Sequence, residues 1–95
     1  MAKTNSDYNP YEELGNAIVI QAANDYEREL ARFIRARRRG NRKMEEDAKT
    51  EIKFLEKFFR SDWYKMLTEV DSEYMIRNLR KKVCDNMCYK GEISL

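Results

Sequence analysis

The chain has 95 residues, 42% of them hydrophobic and 38% charged, and its 19 lysines and arginines against 17 acids give a net charge of +2. This length fits one domain, and the apolar and aromatic content excludes an intrinsically disordered chain. No apolar run is long enough to span a bilayer, and no apolar stretch follows a basic start, so we expect neither a membrane span nor a secretory signal. Without a signal, two cysteines indicate free thiols in a reducing compartment, the cytoplasm.

The first predicted helix covers residues 10–39, after a polar start over 1–8 that we expect to be flexible. Asn9 can cap this helix, and Pro10 suits its first position. At helical periodicity seven apolar residues share one face: Val19, Ala22, Ala23, Tyr26, Leu30, Phe33 and Ile34. The half over 17–23 is apolar nearly all round, so we expect it to be the most buried part of the protein.

Gly40-Asn41 marks the end of that helix, because glycine after a basic last turn is a common C-terminus. A second helix is predicted over 42–60. Its apolar seam consists of Met44, Ala48, Ile52, Leu55 and Phe59, and Phe54 and Phe58 widen it.

Two further helices are predicted after position 60. Ser61 can cap a short helix over 62–69, and Asp71 can cap a last helix over 72–88. Residues 91–95 are expected to fray. The sequence therefore predicts a single all-α domain over 1–95, a small three- to four-helix bundle with a long N-terminal helical hairpin. The C-terminal helix is expected to lie across the open apolar face of that hairpin.

Positive charge is concentrated in the middle of the chain. Between positions 28 and 43 there are eight cations and one acid, Glu29; the cations are Arg28, Arg32, Arg35, Arg37, Arg38, Arg39, Arg42 and Lys43. This segment carries +7, and because the whole chain carries +2, the remainder sums to −5. Segregated charge is typical of a directional electrostatic contact with phosphates or with an acidic protein face.

The spacing of the arginines decides which way they point. Arg28, Arg32, Arg35 and Arg39 share one helical face, opposite the apolar seam, so all four can face a partner. Arginine suits bidentate contact with phosphate or carboxylate. The alternative is a solvated face that complements the helix C-terminus, with part of the charge neutralised across the turn. In that case Glu45, Glu46 and Asp47 would pair with Arg38, Arg39 and Arg42.

The second unusual feature is the run 58–64, FFRSDWY, with four aromatic residues in seven. They cannot all face one core from a single helix, so we expect Tyr64 or Phe58 to be partly exposed. Beside Arg60, such a side chain is typical of an interface anchor. The alternative is that the break at Ser61 redirects the chain and Trp63 fills the end of the bundle.

Residue types that carry catalysis or bind metals are scarce. The chain has no histidine and its three glycines are isolated, which argues against a histidine-containing triad and a glycine-rich phosphate loop. Cys84 and Cys88 are four residues apart, yet zinc normally needs four ligands, and a disulfide between them would distort a helix. We therefore predict a protein without enzymatic activity, cofactor or metal, and with two free thiols.

Two stretches, AIVIQAANDY over 17–26 and FFRSDWYKMLTEVDSEYMIRNLR over 58–80, resemble small helical proteins encoded by prophages and mobile elements of Gram-positive bacteria. The resemblance implies a setting in a bacterial host cell and no particular activity. Phage proteins of this size often act by binding, as inhibitors of host defence of the anti-CRISPR kind do.

Three functions follow from these features. The first is a binding protein, and in its most specific form an inhibitor of a host defence nucleoprotein, that uses the arginine-rich helix end and the aromatic run. The second is a nucleic-acid-binding protein that places the arginine stripe on phosphates. The third is a homo-oligomer in which wide apolar faces pair between chains. The candidate binding residues are Arg28, Arg32, Arg35, Arg38, Arg39, Arg42, Lys43, Arg60 and Tyr64.

Overall fold

A computed structural model describes residues 16–91 and 93 of the chain. This part contains four α-helices and no strand: α1 (Ala17–Arg39), α2 (Arg42–Phe59), α3 (Asp62–Leu67) and α4 (Ser72–Asn86). The predicted all-α class is therefore confirmed. α1 and α2 form the expected antiparallel hairpin, and α4 packs mainly on α1 and to a smaller extent on α2.

The hairpin begins later than the sequence predicted. Asn16 is in the extended region (φ −135°, ψ 122°), and its side-chain oxygen accepts a 2.9 Å hydrogen bond from the backbone N–H of Ile18. An extended cap cannot lie within a continuous helix, so a helix running from position 10 to 39 is wrong. The proposed opening at Asn9 and Pro10 lies outside the described residues.

The turn between α1 and α2 follows the prediction. Gly40 has φ 70°, and the backbone N–H groups of Gly40 and Asn41 donate to the carbonyls of Arg37 and Ala36. This pattern closes a helix C-terminus with a left-handed glycine. Asn41 then caps α2 by accepting a 3.1 Å hydrogen bond from the N–H of Met44. One dipeptide therefore ends one helix and starts the next.

The caps of α3 and α4 lie where the sequence predicted them, whereas the prediction for residue 93 differs from the structure. Ser61 and Asp71 accept hydrogen bonds from the N–H groups of Tyr64 and Tyr74 and start α3 and α4. Ile93 is buried in the core, whereas the sequence predicted fraying over 91–95. Its apolar side chain removes surface from water, and its carbonyl accepts a hydrogen bond from Arg80.

One core joins the helices, and most of its members were predicted. All seven residues of the α1 seam are buried, as are Ala48, Ile52 and Phe59 of α2. In α4 the buried residues are Met75, Ile76, Leu79 and Val83, and Met87 packs against them half-buried. Residues 17–23 were expected to be the most buried part of the protein. This prediction is wrong, because Ile18 is 50% exposed.

Candidate interaction surfaces

Part of the arginine stripe is neutralised on its own helix. Arg28 pairs with Asp25 at 2.9 Å and Arg32 pairs with Glu29 at 2.8 Å, both one turn away along α1. Pairs at this spacing stabilise a helix modestly. These two candidates therefore present a mixed pair of charges rather than a bare cation.

Two more arginines at the helix end contact the bundle itself. Arg38 donates a 2.6 Å hydrogen bond to the carbonyl of Met87, and its guanidinium lies 5.7 Å from the centre of the Tyr89 ring. Arg37 lies over the Phe33 ring and approaches Glu45 at 3.9 Å. Neutralisation across the turn thus occurs through Arg37, whereas the sequence assigned it to other arginines.

Four of the predicted binding cations remain for a partner. They are Arg35, Arg39, Arg42 and Lys43, here termed the turn cations, and all four are exposed at the end of the hairpin. Among the described residues, none of them makes an ion pair or a side-chain hydrogen bond. Four unpaired cations on the two sides of one turn concentrate positive charge there.

The aromatic run is organised differently from the prediction. Tyr64 is only 1% exposed and contacts the rings of Phe58 and Phe59 edge-on at 5.9 and 5.7 Å. Trp63, the alternative core residue, is 53% exposed. The extended cap at Ser61 turns the chain so that the second aromatic of α3, not the first, faces the core. Tyr64 is therefore a core residue, and the prediction that it is exposed is wrong. Phe58, the other residue for which partial exposure was predicted, is half-buried.

The arginine-rich end and the aromatic run do not form one surface. α2 has 18 residues and separates them by its length, about 25 Å at the rise of an α-helix. Arg60 lies at the far end and is occupied, since its guanidinium contacts Glu73 at 2.6 and 3.2 Å and Glu56 at 3.3 Å. The hydrogen bond with Glu73 raises the pKa of Arg60 and lowers that of Glu73.

Sequence reasoning missed a polar cluster inside the core. Glu56 is buried and accepts hydrogen bonds of 2.5 Å from the Tyr26 hydroxyl and from Arg80, while Arg80 also donates to the Tyr26 oxygen at 3.0 Å. Burial, followed by the bond to Glu56, raises the pKa of Tyr26. The signal was available, because Glu56 follows Ile52 by four residues and precedes Phe59 by three, which places a carboxylate on the apolar seam.

An open apolar groove of about 500 Å³ runs between α1 and α2, on their outer side. Its apolar lining consists of Ile18, Ala22, Phe54, Leu55 and Phe58. Phe54 is 70% exposed there, although the sequence assigned it to the widened seam of α2. Asp25 on α1 and Lys57 on α2 also line the groove. This groove, here termed the α1–α2 groove, was not predicted.

Over residues 16–91 and 93, no group of three cysteine or carboxylate side chains converges as a metal site would require. Cys84 and Cys88 are free, and burial raises the pKa of the Cys84 thiol. No helix in this part of the chain is both long and apolar enough to cross a bilayer.

Comparisons with protein-family models, with curated proteins and with solved structures found no match to this chain.

Proposed function

We propose that this chain is a non-enzymatic binding protein whose turn cations dock on an acidic surface of a partner protein. The observation that carries the proposal is a contrast within the basic segment 28–43: Arg28, Arg32 and Arg38 have partners, whereas the turn cations have none within the described residues. Unpaired charges near the turn of the hairpin are available for contact without the loss of an internal ion pair.

The local charge pattern favours a protein over a uniform polyanion. Glu46 and Asp47 are exposed in the first turns of α2, next to Arg42 and Lys43. Acids beside the cations repel a phosphate backbone but can be matched by a protein surface of mixed charge. Because phage proteins of this size often act by binding, the most specific form of the proposal is an inhibitor that docks on a host defence nucleoprotein.

Nucleic acid is the second candidate, and the turn cations themselves favour it. Neutralising four phosphates would release counterions and make affinity fall with salt, with a slope of about −3.6 in log–log form on duplex DNA. An acidic protein surface predicts a shallower dependence, because protein carboxylates carry no condensed counterion atmosphere.

The test uses fluorescence anisotropy with a labelled peptide of mixed charge and net negative charge, in which lysines are interspersed among glutamates, and with DNA and RNA oligonucleotides, over a salt series. The variant replaces Arg35, Arg39, Arg42 and Lys43 by Gln, and the matched control replaces Lys53, Lys65, Lys81 and Lys90, which are equally charged and exposed. We expect the acidic peptide to bind the wild type and the control, and to bind the turn variant at least about tenfold more weakly.

Other outcomes decide between the candidates. Tighter binding to oligonucleotides, with a steep salt slope that the turn variant loses, would put nucleic acid first. Equal losses in the turn variant and the control would show that only net charge matters, and no binding to any probe at low salt would contradict both proposals.

A further inference from the structure

The α1–α2 groove lies away from the turn cations, on the outer side of the hairpin. The α1–α2 groove holds two large exposed apolar side chains, Ile18 and Phe54, at its edges. Small soluble domains seldom leave a concave apolar surface uncovered, and such surfaces mark interfaces. This feature is independent of the proposed function, because none of the turn cations lines it.

The groove combines a protruding side chain with a hollow on the same patch. Phe54 extends into solvent from α2, and the small side chain of Ala22 on α1 leaves room on the opposite wall. A patch that contains both a knob and a hole can pair with a copy of itself, as an isologous dimer interface requires.

The charges at the two walls support the same pairing. Asp25 on α1 is an anion, and Lys57 on α2 is an exposed cation that makes no ion pair within residues 16–91 and 93. Asp25 already binds Arg28 and Gln21 through one oxygen, Oδ1, so its other oxygen can accept a further bond. A two-fold axis along the groove places α1 of one copy over α2 of the other, which brings unlike charges together at both walls.

We infer that the α1–α2 groove is a homodimer interface, in which Phe54 of each copy enters the groove of the other and Asp25 pairs with Lys57 across the two-fold axis. Each dimer would bury both exposed phenylalanines and form the charge pair twice. Apolar burial supplies the affinity, and the charge pairs fix the orientation.

Sedimentation equilibrium from micromolar to near-millimolar concentration tests the inference. We expect the apparent mass of the wild type to rise from 11.5 kDa toward twice that value. Phe54→Glu should raise the dimer dissociation constant at least about tenfold without loss of helical signal, because Phe54 is exposed in the single chain. Met66→Glu is the matched control, since Met66 is 79% exposed but does not line the groove.

A charge exchange tests the orientation separately. Asp25→Lys and Lys57→Asp should each raise the dissociation constant about threefold to tenfold, because each places like charges together twice in the dimer. The double variant should return to within about twofold of the wild type. Rescue of this kind needs the two residues to meet, so additive losses in the double variant would overturn the proposed geometry.

Two results would overturn the inference itself. One is a wild type that stays at 11.5 kDa at every concentration, which would show that the groove does not serve self-association. The other is a dimer that Phe54→Glu leaves intact while Met66→Glu breaks it, which would place the interface elsewhere.

Discussion

The hydroxyl of Tyr26 donates a 2.5 Å hydrogen bond to the carboxylate of Glu56, thirty residues away in sequence, and joins α1 to α2 inside the core. Arg80 adds α4 to this contact by donating to both groups. Burial alone lowers the pKa of Arg80, but its bonds to Tyr26 and Glu56 raise it overall. A buried carboxylate with two such donors is satisfied only when all three helices are in register.

Removing the Tyr26 hydroxyl is expected to destabilise the fold. Tyr26→Phe keeps the ring and its edge-on contact with Phe59 but deprives buried Glu56 of one donor. Hydrogen bonds to charged groups are worth about 1.5–3 kcal/mol, so we expect the free energy of unfolding to fall by about 2 kcal/mol. Urea denaturation followed by circular dichroism measures this, and an unchanged midpoint would contradict it.

The same substitution at the other buried tyrosine should have the opposite sign. The Tyr64 hydroxyl is buried and has no hydrogen-bond partner among the described residues. Tyr64→Phe removes an unsatisfied polar atom and keeps the ring packing, so we expect a gain of up to about 1 kcal/mol in the free energy of unfolding. The Tyr26 variant is its matched control; a loss at both sites would mean that Tyr64 has a partner in the folded chain.

Tyr64 also predicts a loss of stability in alkaline solution. Burial, followed by the charge of Asp71, raises its pKa from 10.0 to about 12. Because the pKa of Tyr64 is higher in the folded chain, the unfolded chain loses its phenol proton first as the pH rises. The free energy of unfolding is therefore fully retained below pH 10 and falls as pH rises toward 12. We expect the free energy of unfolding to fall over this range, and to fall less steeply in Tyr64→Phe.

Tyr74→Phe is the control for this pH dependence, because Tyr74 is an exposed tyrosine in the first turn of α4. Its unfolding profile between pH 9 and 12 should follow that of the wild type. A Tyr64→Phe profile identical to the wild type would show that ionisation of this phenol does not limit alkaline stability.

The sequence was sufficient for the features that depend on local chemistry. Gly40-Asn41, Ser61 and Asp71 were found because a turn or cap needs only a residue and its near neighbours. The buried face of α1 followed from helical periodicity. Asn16 was missed because Asn9 and Pro10 offered an earlier start for the helix, and the sequence alone did not decide between the two asparagine caps.

The features that periodicity could not supply depend on which helix covers which face. Phe54 is on the apolar side of the α2 pattern, but no element of the described chain covers it, so it lines a groove instead. Which arginine meets which acid also depends on the crossing of α1, α2 and α4. Arg38 reaches the carbonyl of Met87, forty-nine residues away, and no sequence spacing indicates that contact.

The burial of Ile93 predicts that the chain end contributes to stability. Its side chain packs in the core, and its carbonyl lies within reach of Arg80, which also serves Glu56. Ile93→Ala should lower the free energy of unfolding by about 2 kcal/mol, as expected when a buried isoleucine is truncated in a core. Thermal unfolding checks this, and Ile18→Ala is the control, since half of that side chain is already exposed. Equal effects at the two positions would contradict the docking of the chain end.

The two left-handed residues at helix ends predict a pair of opposite changes. Gly40 (φ 70°) and Cys88 (φ 52°) occupy equivalent positions at the ends of α1 and α4. The backbone N–H groups of Cys88 and Tyr89 donate to the carbonyls of Asp85 and Cys84. The N–H groups of Gly40 and Asn41 close α1 in the same pattern. Glycine adopts this conformation without strain, whereas a residue with a Cβ is penalised by about 1 kcal/mol. Gly40→Ala should therefore destabilise by about that amount, and its Cβ would meet no atom within 4 Å, so the effect would come from the backbone alone.

At the second position the favourable change is Cys88→Gly, which should raise the free energy of unfolding by about 0.5–1 kcal/mol in urea under reducing conditions. Cys88→Ala is the control, because it removes the thiol but keeps the Cβ that strains the left-handed backbone. If alanine stabilised as much as glycine, the thiol rather than the backbone would be the source of the effect. If Cys88→Ala leaves the free energy of unfolding unchanged and Cys88→Gly raises it, the strain comes from the left-handed backbone at Cys88.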